Sequence, residues 1–290
     1  MCAITLPQNL VEAAEAEGRQ AWLATLPATV RALQELWSLE IREPFQPGGQ
    51  TAWVAPVRTE SGKRLVLKVA WRHPEAAHEA DGLRAWAGNG AVRLHAATQF
   101  DEATALLVER CVPGTALTGR PEPEQDIVIA GLLRRLWIEP SAGAGFRPLE
   151  VMCTQWADEF DQAAESGRCN LDAGLAREGI ALFRALPTTA ERSVLLGTDL
   201  HAGNVLAAER EPWLVIDPKP YVGDPTYDPL QHMLNCEERL LTDPLGLARR
   251  IAGLLDLEYE RLVLWLFARC VQESTEWPAL AAVARRLAPR

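Results

Sequence analysis

The hydrophobic period changes twice along this chain, and that change limits the folds open to it. Residues 8–36 repeat at helical spacing, with Trp22, Leu26, Val30, Leu33 and Trp37 on one stripe. Pro27 fits the first turn of a second helix and so divides the segment in two. The pattern then shortens to a period of two. Residues 51–57 and 64–70 are β-rich runs joined by Glu60-Ser61-Gly62-Lys63, a hairpin turn. A helix over 74–87 stops at Gly88-Asn89-Gly90, and short strands follow at 91–94 and 105–109. Beyond Pro113-Gly114 and the stretch 119–123 the helical period returns, over 124–138, 148–164, 171–185, 226–240, 245–255, 258–273 and 276–287. Only the apolar runs 194–196 and 213–216 interrupt it. Strands grouped first and helices grouped after them predict an α+β protein with an antiparallel sheet. The division falls into residues 1–112 and 113–290, a sheet-bearing part with leading helices and a helical part.

At 290 residues the chain has material for two such parts, each with its own core. The formal net charge of −10 argues against a nucleic-acid backbone as partner and suits a cationic small molecule. No long uncharged apolar run predicts a membrane span, and the first 17 residues lack a basic-then-apolar leader. The six cysteines, Cys2, Cys111, Cys153, Cys169, Cys236 and Cys270, are scattered without a metal-ligand spacing. They predict free or buried thiols in a reducing compartment, the cytoplasm. A monomer is expected.

One constellation carries chemistry. Phosphoryl transfer needs a held metal–phosphate group, neutralised charge and an oriented acceptor oxygen, rather than covalent work by the protein. Asp199-Leu200-His201-Ala202-Gly203-Asn204 has the required Asp, four intervening residues and an Asn. Asp217 closes the apolar run that begins at Trp213. If Val205-Leu206 pairs with Leu214–Ile216 across a turn at Glu209–Pro212, Asn204 and Asp217 stand side by side as oxygen ligands for Mg2+. Lys68 lies within Leu65-Val66-Leu67-Lys68-Val69-Ala70, where an ammonium is costly without a partner. Glu79, about a turn into the next helix, is the expected one, and the pair would meet nucleotide phosphates; the alternative is an edge-strand lysine facing water. Gly48 and Gly49 lie where a phosphate-covering loop belongs, although two adjacent glycines also suit a plain turn. Glu109 and Cys111, at the junction of the two parts, can offer backbone groups to an adenine edge or serve as linker.

Gly197-Thr198-Asp199-Leu200-His201-Ala202-Gly203-Asn204-Val205-Leu206, followed by Ile216-Asp217-Pro218-Lys219-Pro220, resembles the aminoglycoside/hydroxyurea phosphotransferase family, and within it the streptomycin 6-phosphotransferase branch. Glu17-Gly18-Arg19 with Ala21-Trp22, Trp37-Ser38-Leu39, Leu67-Lys68, Leu83 with the stretch from Trp86 to Leu94, Leu106-Leu107-Val108-Glu109-Arg110 and Pro113-Gly114 extend the similarity along nearly the whole chain. The resemblance implies a protein-kinase-like two-lobed fold, with a small antiparallel-sheet lobe and a mainly helical lobe. It also implies ATP or GTP with magnesium, and phosphorylation of a hydroxyl on a small molecule in antibiotic resistance. Carried over by position, Asp199 is the base or orienter, Asn204 and Asp217 the metal ligands, and Lys68 with Glu79 the phosphate-binding pair. The chain departs from the family at Gly197, where a loop-packing His is usual. Asp228 is expected to brace the catalytic loop, and His201 to support it from within. Lys219 could neutralise phosphate or face solvent, and Asp224, Glu237 and Glu238 are candidates for a cationic substrate. Two further readings share these residues: a kinase of some other metabolite, and a nucleotide-binding regulatory module with little turnover, suggested by Gly197 and the thin glycine loop.

Overall fold

Leu65, Leu67, Val69 and Trp71 alternate with Val66, Lys68 and Ala70, so one side of this strand is wholly apolar and the other carries the charge of Lys68. In a computed structural model, which describes residues 4–141 and 143–289, that alternation seats the strand at the centre of a five-stranded sheet. Cys2 lies outside the described residues. The chain divides into two units: residues up to Gly114 with Ala207–Pro212, and Thr115–Leu206 with the residues from Trp213 onward.

The first unit begins with α1 (Gln8–Ala16) and α2 (Gln20–Leu36). The break between them falls at Gly18, not at Pro27. Gly18 takes a left-handed φ of 66°, and the Arg19 amide donates to Ala14 O at 2.7 Å, closing the first helix. Pro27 sits inside α2. Strands β1 (Leu39–Ile41), β2 (Ala52–Thr59), β3 (Arg64–Trp71), β4 (Leu94–Gln99) and β5 (Ala103–Glu109) form an antiparallel sheet in the order β1-β2-β3-β5-β4. Strand β4 runs to Gln99, beyond the expected 91–94. Its His95-to-Gln99 stretch is an edge with little apolar alternation to reveal it. Trp53, Leu65, Leu67, Val69 and Trp71 form one core with Leu10, Trp22, Leu26, Val30 and Leu33 of α1 and α2. Trp22 and Trp71 meet edge to face at 5.2 Å. The apolar side of the sheet is thus covered. The opposite side carries Val54, Lys68 and Leu106, adjacent in register, and α3 (Glu79–Trp86) follows β3.

The second unit holds α4 (Glu122–Leu136), α5 (Leu149–Glu165) and α6 (Ala173–Ala185), then β6 (Val194–Leu196), β7 (Val205–Ala207) except its last residue, β8 (Trp213–Val215) and β9 (Tyr221–Gly223). It ends in α7 (Leu230–Asn235), α8 (Glu237–Thr242), α9 (Pro244–Leu255), α10 (Tyr259–Glu273) and α11 (Leu280–Leu287). Asp172 sets the start of α6, its Oδ1 accepting the amides of Gly174 and Leu175. The expected helix over 226–240 is two helices after a 3-10 turn, broken at Cys236. The last helix starts at Leu280 rather than 276, since Pro278 disfavours helix in the residue before it. Helix α10 is the axis of this unit: Trp265 to Ala268, Cys270 and Val271 are all inaccessible. Gly179 of α6 allows the contact, because a Cβ there would lie 2.4 Å from a Val271 methyl. Strands β6 and β9 pair, as do β7 and β8.

Candidate active site

In the first unit the strand lysine finds the predicted partner. Lys68 Nζ donates to Glu79 Oε2 at 2.6 Å, with side chains only 12% and 5% exposed. A buried pair of this kind gains little stability over an apolar substitute, which points to a use for the charge. The two line a cavity of about 220 Å3 under α3 together with Ala70, Ala97, Thr98 and Leu106. Gly48 does not present an open amide. Its N–H donates to Asn9 Oδ1 at 3.1 Å, and its carbonyl accepts from Asn9 Nδ2 at 2.8 Å. A Cβ on Gly48 would stand 2.8 Å from Pro7, so close packing on the N-terminal helix accounts for this glycine. Gly49 lies in the same connection between β1 and β2. Glu109 is also committed: its amide donates to Arg93 O at 2.8 Å, and its carboxylate is held by Arg210. Burial pushes that carboxyl up, but the Arg210 and Arg93 hydrogen bonds outweigh it and leave it below its ordinary range. The Cys111 amide makes no backbone hydrogen bond among the described residues.

In the second unit the loop after β6 is fixed from several sides. Asp228, with no exposed surface, accepts the Thr198 amide at 2.7 Å on Oδ1, and the Gly197 amide at 3.2 Å and Trp137 Nε1 at 2.9 Å on Oδ2. Burial pushes its carboxyl up to about 6 against the pull of those donors. Thr198 takes a φ of 47°, costly for a β-branched residue, and its Oγ1 donates to Lys219 O at 2.6 Å. His201 braces the loop, its Nδ1 accepting the Gly203 amide at 3.2 Å, and burial lowers its pKa. Gly197 therefore leaves the loop well braced without the usual imidazole.

That frame brings the three acidic and amide side chains to one end of the β7–β8 hairpin. Asn204 Nδ2 donates to Asp199 O at 3.0 Å and Asp199 Oδ2 at 3.3 Å, which leaves its Oδ1 as an acceptor. The Ile216 amide donates to Asn204 O at 2.9 Å, so Asp217 follows directly beside Asn204. Asp217 is held at a left-handed φ of 52°, with Lys219 Nζ bound to its Oδ1. Lys219 thus neither points to solvent nor stands alone. A carboxylate and an amide oxygen from adjacent backbone suit a hard divalent cation that keeps water and phosphate in its remaining positions.

Two buried carboxylates of the helical part are occupied from within, and one of them, Asp126, escaped the sequence reading. Asp224, a candidate for substrate, is spent inside: it accepts from Arg261 Nε at 2.7 Å, Trp265 Nε1 at 2.6 Å and the Thr226 amide at 2.9 Å. Glu237 and Glu238 remain exposed at the start of α8. Asp126 of α4 lies within 4.8 Å of His232 and Cys236, a trio that could ligate metal. Its oxygens are already filled, by His232 Nε2 at 2.9 Å, Arg239 at 3.1 and 2.9 Å, and Arg250 at 2.6 Å. Two guanidinium groups there make it a charge network tying α7, α8 and α9 to α4. Burial pushes the Asp126 carboxyl up, and the His232, Arg239 and Arg250 hydrogen bonds overcome that and hold it well below the usual carboxylate range. A carboxyl depressed on folding contributes stability above its unfolded pKa of about 4 and loses it as pH falls further. Urea midpoints measured from pH 7 down to 3 should drop more steeply in the wild type than in Asp126→Asn; parallel curves would remove Asp126 from the acid sensitivity.

The overall architecture matches solved phosphotransferases. A choline kinase from Streptococcus pneumoniae superimposes with a TM-score of 0.58 over 90% of this chain and 97% of its own, at 15% identity. An aminoglycoside phosphotransferase from Streptomyces rimosus, solved with ADP and streptomycin, gives 0.56 over 87% and 99%, at 18% identity. The fold is that of the protein-kinase-like phosphotransferases. A model of the aminoglycoside/hydroxyurea antibiotic resistance kinases matches residues 38–280. Streptomycin 6-kinase of Streptomyces griseus is 33% identical over 98% of this chain and 97% of its own length. Hydroxyurea phosphotransferase of Kitasatospora aureofaciens is 36% identical over 93% and 79%. The chain belongs to the aminoglycoside/hydroxyurea antibiotic resistance kinase family, enzymes that transfer phosphate from a nucleotide to a small molecule. Among the described residues no helix is long and apolar enough to cross a membrane.

Proposed function

We propose that this kinase moves the γ-phosphate of ATP or GTP onto a hydroxyl of an aminoglycoside such as streptomycin. The observation that carries the reading is the hydrogen-bonded arrangement of Asp199 and Asn204, with Asp217 following the residue that pairs with Asn204 across the hairpin. Asp199 orients the acceptor hydroxyl and takes its proton as the oxygen attacks phosphorus. Asn204 and Asp217 hold Mg2+, which when bound neutralises phosphate charge. Lys68, aligned by Glu79, meets the nucleotide phosphates, and the Cys111 backbone meets the adenine edge. Exposed Glu237 and Glu238, on a chain of net charge −10, are the remaining acidic candidates for a guanidinium-bearing substrate. The 36% identity to a hydroxyurea phosphotransferase keeps a much smaller hydroxylated acceptor as the second reading.

Incubation with labelled nucleotide, Mg2+ and a panel containing streptomycin, other aminoglycosides and hydroxyurea tests the choice. Label is expected on streptomycin. Label on hydroxyurea alone would favour the second reading, and nucleotide binding without transfer to any acceptor would favour a regulatory module.

A further inference from the structure

We propose that Arg210 is a positioning residue for the metal-binding pair, fixing the hairpin that carries Asn204 and Asp217. The inference rests on the reading of those two residues as Mg2+ ligands. Strands β7 and β8 have three residues each. A two-stranded ribbon so short is marginal by itself, so the spacing of its end residues depends on what anchors it. At the base the anchor is the Ile216 amide on Asn204 O. At the tip, Ala207–Pro212 counts with the first unit, and Arg210 is its fastening.

All five guanidinium N–H groups of Arg210 find acceptors. Nε and Nη2 grip Glu109 Oε1 and Oε2 at 2.8 and 2.9 Å, Nη2 also reaches Ala91 O at 2.9 Å, and Nη1 reaches Gly88 O at 2.7 Å and Glu211 Oε1 at 2.6 Å. The group is largely buried. Around it, the Gly114 amide donates to Ala207 O at 3.0 Å, and Arg64 Nη2 meets Glu209 Oε2 at 3.2 Å. Full satisfaction by one planar fork defines a single orientation, which the three N–H groups of a lysine could not reproduce. A solvent-facing turn has no need of such a fixture. A turn whose strands end on two metal ligands does, because a ribbon of three-residue strands passes any movement of its tip to its ends.

The test is calorimetric titration of ATP into the whole protein at a series of Mg2+ concentrations, for the wild type, Arg210→Ala, Arg210→Lys and Asp217→Asn. Arg210→Ala should raise the Mg2+ concentration needed for half-maximal enhancement of ATP affinity by ~10-fold. Arg210→Lys should fall between it and the wild type, and ATP affinity without metal should stay the same in both. If Asp217→Asn shifts the Mg2+ curve and neither Arg210 variant does, the role of Arg210 is overturned while the ligand pair stands. If Asp217→Asn leaves the curve in place, the metal reading itself fails. Equal loss of ATP affinity with and without Mg2+ would show general loosening and also overturn the proposal. Should Arg210→Ala not fold, Arg210→Lys and Glu109→Gln carry the same readout.

Discussion

Asp199→Ala is expected to lower turnover by ~10²–10⁴-fold, the span associated with a positioned general base, while ATP affinity stays nearly unchanged. The reason lies in the geometry of the loop. The Asp199 side chain accepts from Asn204 Nδ2 at 3.3 Å, whereas the backbone of the loop is held by Asp228, Thr198 and His201. Removing the Asp199 carboxylate therefore leaves the frame standing and takes away the group that aligns the acceptor. Steady-state rates with the accepted substrate, alongside nucleotide titration, separate the two quantities. A variant with wild-type turnover would remove Asp199 from the mechanism.

Asp228→Ala should have the largest effect on folding. It leaves the amides of Gly197 and Thr198 and the Trp137 indole without an acceptor in a site closed to water. Each stranded donor costs about 1–3 kcal/mol, so a total loss of about 3 kcal/mol or more is expected. Thr198 would also lose one of the two bonds that hold its left-handed backbone, and the loop should relax toward ordinary conformations. Turnover should fall with stability. Asp228→Asn keeps one carbonyl oxygen for the amides and should lose less on both counts. Urea denaturation followed by far-UV circular dichroism, with turnover measured in parallel, checks the order wild type, Asn, Ala. An alanine variant as stable as the wild type would mean that the loop is held elsewhere.

What could be read in advance was local. The Lys68 strand, the Asp199-to-Asn204 spacing and the β7–β8 hairpin each declare themselves within a few consecutive residues, through period, turn chemistry and the position of a charge in an apolar run. Residues whose meaning depends on a distant partner were silent. Asp126 meets Arg250 from 124 positions away, and Arg210 meets Glu109 from 101. No window along the chain contains both members of either pair. Gly48 shows the opposite error: adjacent glycines suggest a phosphate loop, yet Pro7 and Asn9 of the N-terminal segment explain the first of them. Pro27 misled for a similar reason, since helix α2 has enough buried stripe to carry one missing hydrogen bond. The helix boundary was set instead by Gly18, whose backbone freedom ends α1 more cheaply.

The family model begins at residue 38, after both N-terminal helices, although the Streptomyces griseus relative aligns over 98% of the chain. Those helices nonetheless cover Trp53, Leu67, Val69 and Trp71. The edge of the family model and the edge of the fold thus differ in this protein. A truncation drawn at residue 38 would strip the roof from the sheet and present two indoles and a row of aliphatic side chains to water, a surface made for clumping.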